Sequence, residues 1–557
     1  MQGDRKVANK ESPRKRILIL GGGFGGVYTA MHLESLLGRK DDYEITLVNG
    51  ENYFVFQPML PEVVSGNLGP SHVVSPLRRL LPQTQIYIRQ VESIDVVNKT
   101  VTLSPGFRPR SLVLTFDHLV LALGNVTDFR GMSGLREHAF PFKNLADANR
   151  LRNHLIHVLA EADVEADVEL RKQLLTFVIA GGGFSGVEVA AELNDFVRRA
   201  VRYFHNIDPA ELRVLLIHSG KRILDKELVE RLGLYAQELL RKRGMEIRLG
   251  ARIEAATPDW AIVKGGERIP TKTLISTVPS SPNPILEAAA NLPKERGRIK
   301  VTRELEVEGM PGIWALGDCA LIPAAKGEGF CPPTAQFAVR EGRVVAKNIV
   351  ATIRGGAREV FQFNGLGKMG ALGHRRAVAE MLGVRLSGIV AWVIWRAVYW
   401  MKMPGLDRKI RVGVDWLLDF LIPPELVQLR LDDGKAIEHV HYEPGEMIVR
   451  QGDSSEYLYI VVKGEGKASW EHNGKTEILG TVGEGEFFGE SAVLDNVPYR
   501  LSLECTAPMD AIRFHKSEFR DIVTSLPSVR SNIDKIVEKR LATYVEKRGG
   551  DDIGSSS

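Results

Sequence analysis

The chain has 557 residues, 44% hydrophobic and 25% charged, the composition of a folded protein with about three or four domains. A net charge of +4 over that length, with no zinc-finger or helix-turn-helix pattern, argues against nucleic acid as a partner. Only three cysteines occur (Cys319, Cys331 and Cys505), which excludes a disulfide framework and makes a reducing compartment the expectation.

Residues 1–15 are polar, lack the apolar core of a secretory signal, and are expected to be a disordered tail, as are residues 549–557. Residues 16–26, RILILGGGFGG, then run an apolar strand into a glycine-rich turn, and a helix is expected from Val27. That order is the fingerprint of a dinucleotide-binding fold. Gly21 permits the turn, Gly23 lets the backbone approach a pyrophosphate, and Gly26 lets helix pack on strand, with Phe24 and Gly25 between them. A second strand, EITLV, ends at Asn49, where a carboxylate commonly holds ribose hydroxyls; an amide there suits FAD. A proline-containing loop with Gln57 follows, and residues 117–124, DHLVLALG, read as the strand that returns under a flavin and ends at Gly124.

A near copy of the fingerprint, with Gly181, Gly183, Phe184, Ser185 and Gly186, begins about 160 residues after the first. Two such folds suggest two dinucleotides, a flavin and a nicotinamide. Glu188, just inside the second helix, is expected at the junction of the two rings; the plainer reading has it complement the helix dipole. The second strand of this fold ends at His218 rather than at an acid, so the repulsion that rejects NADPH is missing there. Ser219, Lys221 and Arg222 could hold a 2′-phosphate, which leaves NADH and NADPH both open. Gly317 and Asp318 end a later strand, with Asp318 offered to a ribityl chain, and a helix is expected from about Thr334.

The two fingerprints, FQPML at 56–60, the Gly317–Asp318 pair and AQFA at 335–338 resemble the type II NADH:quinone oxidoreductases across roughly residues 15–430. The resemblance implies one noncovalent FAD, hydride from a nicotinamide, and reduction of a membrane quinone without proton pumping. It places Glu188 near the nicotinamide and quinone, and Ala335 and Gln336 in the quinone site. Arg340 stands where the family often has glutamine, which bears on the quinone headgroup pocket.

Residues 387–403 are apolar with three tryptophans but too short to span a bilayer. In residues 412–422, Val414, Leu417, Leu418 and Leu421 share one helical face and Asp415 and Asp419 another, as in a helix lying in the headgroup plane. Eight basic residues against two acidic ones between 375 and 411 favour an anionic membrane surface. In the resembling family this region anchors the protein and contributes to homodimers.

After Leu431 short strands alternate with glycine turns, as in a small β-barrel or jelly roll, and a charged helical run closes the chain. This part resembles the cyclic nucleotide-binding domains of catabolite activators and cyclic-nucleotide kinases, through PGE at 444–446, Gly452, Asp453 and FFGESAVLDNVPYR at 487–500. Gly489 and Ser491 would offer backbone N–H groups to the cyclic phosphate, Glu490 would accept from the ribose, and Arg500 would pair with the charge. Leu501 departs from the family's small hydroxyl residue, with Ser502 one place later.

The expected architecture is therefore α/β. Two Rossmann-like domains bind FAD (16–125 and 300–370) and NAD(P)H (126–299); a membrane-anchor region (371–430) and a cyclic nucleotide-binding domain (431–548) follow. The expected function is an FAD-dependent NAD(P)H:quinone oxidoreductase, peripheral on the cytoplasmic membrane face, with a cyclic nucleotide, cyclic AMP ahead of cyclic GMP, as regulator. No metal is expected. The alternative is a flavin-based redox sensor or scaffold with little turnover. A sulfide:quinone reductase would need a reactive cysteine pair, which Cys319 and Cys331 poorly supply, and a disulfide reductase would need a CxxC motif, which is absent.

Overall fold

The computed structural model describes residues 15–38, 43–127, 129, 132–277, 281–325, 329–419, 425–428, 437–472, 475–525, 530 and 535. The expected tails, most of the closing helical run, and the end of the 412–422 stretch lie outside them. The chain divides into two compact units, one within residues 1–101 and 114–430, the other within 102–113 and 431–557.

The first unit is built on two parallel five-stranded sheets. In the first, Lys15–Leu20 is central; His118–Leu121 and then Ile313–Ala315 lie on one side, Tyr43–Asn49 and then Gln85–Ile88 on the other. Ile17 to Leu20 are all buried, which is why this strand reads as a continuous apolar run rather than an alternating one. The helix expected from Val27 begins earlier, spanning Phe24–Leu37, because the glycines of the turn already form its first turn. Against it packs the helix Ala335–Arg354, and a Cβ on Gly342 would stand 2.9 Å from the Gly25 carbonyl oxygen. Glycine on one helix thus sets the approach of the other.

The second sheet runs in the order Ala139–Pro141, Thr273–Ser276, Thr176–Ala180, Arg213–His218, Met245–Leu249. The chain leaves the first sheet through Asn125–Val126 and returns through Ser281–Pro282, and these two short strands pair antiparallel as a link between the folds. Beyond the returning segment, Gly367–Ala371, Ala377–Met381 and Val384–Ser387 form an antiparallel sheet. It leads into two helices, Gly388–Lys402 and Leu406–Leu418. No helix among the described residues is long and apolar enough to cross a membrane.

The second unit is β-rich. Its sheet orders Ile437–Tyr442, Ser502–His515, Tyr457–His472 and Lys475–Val482, with Met447–Val449 and Phe487–Phe488 pairing onto the two long strands. Val461, Ala468, Leu503 and Met509 fill its core. Glu490–Asp495 and Lys516–Ser525 are its described helices.

Candidate active site

Both fingerprints close their turns by the same device. Gly21 adopts φ +105°, and a Cβ there would meet the Ala122 carbonyl oxygen at 2.3 Å. A Cβ on Gly26 would lie 1.9 Å from the Gly21 oxygen, while one on Gly23 would enter open space. Gly22 N–H donates to Asn49 Oδ1 at 2.8 Å, and the Asn49 amide donates in turn to the Glu51 carbonyl. The strand-end asparagine therefore pins the glycine loop itself. In the second fold Gly181 takes φ +121°, and Gly186 comes as close to the Gly181 oxygen as Gly26 does to that of Gly21. Gly182 N–H donates to His218 Nδ1 at 3.2 Å, so Nδ1 is the unprotonated nitrogen and Nε2 faces Asp225 Oδ1 at 3.4 Å.

On the flavin side, Gly124 (φ +64°) opens onto free space at the strand ends, where open α/β sheets bind ligands. Gly317 N–H donates to Glu341 Oε2 at 2.8 Å, and burial pushes the Glu341 carboxyl up to about 7. Burial also raises Asp318, against the opposing pull of Lys143. The Lys143 ammonium is bonded to the Asn125 carbonyl and side chain, and burial brings it down to about 8. Gln57 Nε2 reaches the Lys143 carbonyl at 3.5 Å. Lys143 and Glu341 were not legible as site residues, because each reaches the crevice from an element distant in sequence. A bare pyrophosphate cradle at Gly23, an open crevice at Gly124 and the Asp318–Lys143 pair beside it fit FAD.

Where the nicotinamide fold meets the rest of the unit stands Glu188. It lies one turn into the helix Phe184–Ala200, beyond the first turn where a dipole partner belongs. Its Oε1 accepts from Ala371 N–H at 2.9 Å, and burial pushes its carboxyl up to about 8, with a further push from Glu62. Phe184 packs so closely on Gly370 that a Cβ there would touch the ring, while Ser185 faces outward. The same strand, Gly367–Ala371, engages Gln336 at its other end: Gln336 donates to the Gly367 carbonyl and accepts from Leu366 N–H, both at 3.1 Å. Ala335 opens this helix. Arg340 is turned aside, donating to the Gln336 carbonyl at 2.7 Å with its guanidinium 4.1 Å over the Phe363 ring. A ladder of edge-to-face rings, Phe54, Phe24, Phe56, Tyr399 and Trp395, runs from the first glycine turn into the helix Gly388–Lys402. Tyr399 reaches close enough to Glu188 to feel its charge.

The adenosine end of the second fold holds a cavity of about 550 Å³ lined by Ser219, Lys221, Arg222, Asp225 and Glu230. Arg222, read from the sequence as a phosphate ligand, is committed to the carbonyls of Ile223, Leu224, Asp225 and Leu228. Its charge stabilises the turn. Cys319 and Cys331 are both unbridged, and burial pushes their thiols up to about 12 and about 11, so neither is a ready thiolate.

In the β-rich unit Gly489 takes φ +90° beneath Tyr499, whose hydroxyl donates to the Tyr457 carbonyl at 2.5 Å. Glu490 is buried, Ser491 half-buried and Arg500 exposed. Leu501 packs on the core, and Ser502 Oγ accepts from Gln451 N–H at 2.9 Å, a backbone task.

Two linked dinucleotide folds, each opening on a glycine fingerprint turn, define a pyridine-nucleotide oxidoreductase. Residues 15–342 match the family Pyridine nucleotide-disulphide oxidoreductase, 366–423 the NDH2 C-terminal domain and 439–525 the Cyclic nucleotide-binding domain. The demethylphylloquinone reductase NdbB of Synechocystis is 33% identical over 410 residues, 72% of this chain and 96% of that protein. The type II NADH:quinone oxidoreductase Ndh of Mycobacterium tuberculosis is 28% identical, over 77% of this chain and 93% of that protein. The structure of NDH2 from Plasmodium falciparum in complex with NADH has the same fold, with TM-score 0.67 at 18% identity over 74% of this chain and all of that one. The chain belongs to the type II NADH:quinone oxidoreductases.

Proposed function

We propose that this protein oxidises NADH and reduces a membrane quinone, with FAD resident between the two half-reactions. The reading rests on Glu188, a carboxyl kept protonated near neutral pH by desolvation at the meeting point of the fingerprint helix, the strand Gly367–Ala371 that Gln336 engages, and the aromatic ladder. Bound FAD would accept the hydride and pass two electrons to the quinone.

The chain's own residues place, shield and protonate the reactants. The two glycine turns hold the pyrophosphates, Gly317 and Asp318 face the flavin's ribityl side, and the ring ladder supplies an apolar wall for the quinone. Glu188, fixed by Ala371 N–H, donates a proton to the quinone oxygen as charge develops there. Gln336 keeps its helix start against the strand, and Arg340, parked on Phe363, keeps its charge off the headgroup pocket.

We place the protein peripherally on an anionic membrane surface, on its cytoplasmic side, as a homodimer. A cyclic nucleotide, cyclic AMP ahead of cyclic GMP, binds the β-rich unit at Gly489, Glu490 and Arg500 and regulates turnover by favouring one conformation over another. NADH oxidation by the FAD-loaded protein is to be measured with a short-chain quinone, with and without cyclic AMP. Quinone-dependent oxidation that drops about 100-fold in Glu188→Gln, while NADH still bleaches the flavin, supports the reading. NADH oxidation that ignores quinone sinks it, and turnover indifferent to saturating cyclic nucleotide removes the regulatory half.

A further inference from the structure

Glu188 does not stand alone on its helix. Glu188, Glu192, Asp195 and Arg199 follow at spacings of four, three and four residues, so they form one stripe along Phe184–Ala200. Glu192 is 4% exposed. Its Oε2 accepts from Asn67 Nδ2 at 3.2 Å, and Asn67 Oδ1 accepts from Arg199 at 3.2 Å. Asn67 and Arg199 line a cavity of about 320 Å³, together with His72, Arg152, Asp415 and Asp419. The stripe therefore joins a cavity with charged side chains in its wall at one end to the proposed quinone acid at the other.

Every element packed on the stripe brings a charged or titratable group. The helix Leu60–Val64 contributes Glu62, 3% exposed, whose Oε2 accepts from Trp416 Nε1 at 2.6 Å. The helix Gly388–Lys402 contributes Arg396, 3.7 Å from Glu62 and 4.0 Å from Asp419, and Tyr399 beside Glu188. The segment around Leu406–Leu418 contributes Asp415, bonded to His72, and Asp419, 3.4 Å from Arg199. Arg243 and the His374 N–H hold Asp195. Glu62 and Glu192 thus both feel the Arg396 guanidinium, which Asp419 also approaches, and Glu188 feels the charge of Glu62. Glu62 and Glu192 are buried and Glu188 is half-buried, and three such carboxylates so close to one cation cannot all ionise, so protons stay among them. Burial pushes Glu192 up to about 8, as it does Glu188.

We propose that Glu192, held by Asn67, is the proton-uptake residue of this enzyme, passing protons from the cavity along the helix face to Glu188. The inference rests on the quinone reading above. NADH, a quinone and one proton give NAD⁺ and the quinol: the hydride carries both electrons and one proton, and the other proton must come from water. At Glu188 the carboxyl O–H breaks as the quinol O–H forms. Glu192 then reprotonates Glu188 across one helical turn, a Cβ separation of about 6 Å, and is itself refilled from water in the cavity.

The test is stopped-flow kinetics of the holoenzyme and of Glu192→Gln, which keeps an acceptor for Asn67 but has no proton to relay. Flavin reduction by NADH should stay within about twofold of wild type, whereas reoxidation by quinone should slow about tenfold or more and gain a solvent isotope effect. Glu192→Asp should recover most of the rate. The protonated-carboxyl band in the redox-induced infrared difference spectrum should lose a component in Glu192→Gln, a readout independent of turnover. Asn67→Leu, which severs the cavity link and leaves the Glu192 carboxyl itself in place, should reproduce the slow reoxidation and serves if the first variant does not fold. Reoxidation at the wild-type rate and isotope effect in both variants overturns the route alone. A wild-type flavin that quinone cannot reoxidise overturns the quinone reading and the route with it.

Discussion

Glu188, Glu192 and Glu341 all take up protons on folding, since burial lifts them from the usual carboxyl value of 4.5 to about 8, about 8 and about 7. Between those limits the folded chain binds more protons than the unfolded one, so stability falls as pH rises from about 4.5 towards 8. Melting curves at pH 5.5 and 8.5 should differ, and Glu188→Gln should narrow the gap by about 2–5 °C by raising the higher-pH value. Specificity for the nucleotide is also decided by single residues. His218 and Arg222 are both engaged in holding turns, and against the single Lys221 ammonium lining the adenosine cavity stand two carboxylates, Asp225 and Glu230. They suit ribose hydroxyls and repel a 2′-phosphate, so the protein should prefer NADH. Glu230→Gln combined with Asp225→Asn should raise the kcat/KM ratio of NADPH to NADH about tenfold, whereas Arg222→Ala should lower stability and leave the ratio alone.

Two helices after the catalytic folds divide their work differently. On Leu406–Leu418, Leu406, Ile410, Val414 and Leu417 are all exposed and lie close to one face, with Val412 and Trp416 buried on the other. Replacing Ile410 and Leu417 by Asp should abolish co-sedimentation with anionic vesicles and leave the circular dichroism spectrum and flavin content unchanged. The preceding helix is half surface and half wall: Ile389, Val390 and Val393 are exposed, but Ala391, Trp392 and Trp395 are buried and Tyr399 completes the ring ladder. Spacing made part of the first helix legible in sequence, because amphipathy is local: the pattern reads as residues 412–422, whereas the helix already begins at Leu406. It could not reveal the second helix's inner face, whose partners Phe56 and Glu62 come from more than 300 residues earlier. The fingerprints were legible for the same local reason, glycine being required wherever a Cβ would stand within about 2–3 Å of a neighbouring backbone. Lys143, Glu341 and Glu62 were not, since their meaning lies in what they face.

In the whole molecule, an oxidoreductase unit and a β-rich unit share one chain, and each can be disabled separately. Arg500 is exposed, and Arg500→Ala should lower cyclic AMP affinity at least about 30-fold, by calorimetry, without altering quinone turnover in the nucleotide's absence. The two dinucleotide loops are likewise closed by different chemistry. An amide, Asn49, fastens the flavin loop, and an imidazole, His218, fastens the nicotinamide loop. Each latch reaches only its own fold, so losing either side chain would loosen one nucleotide's seat and leave the other's fastened.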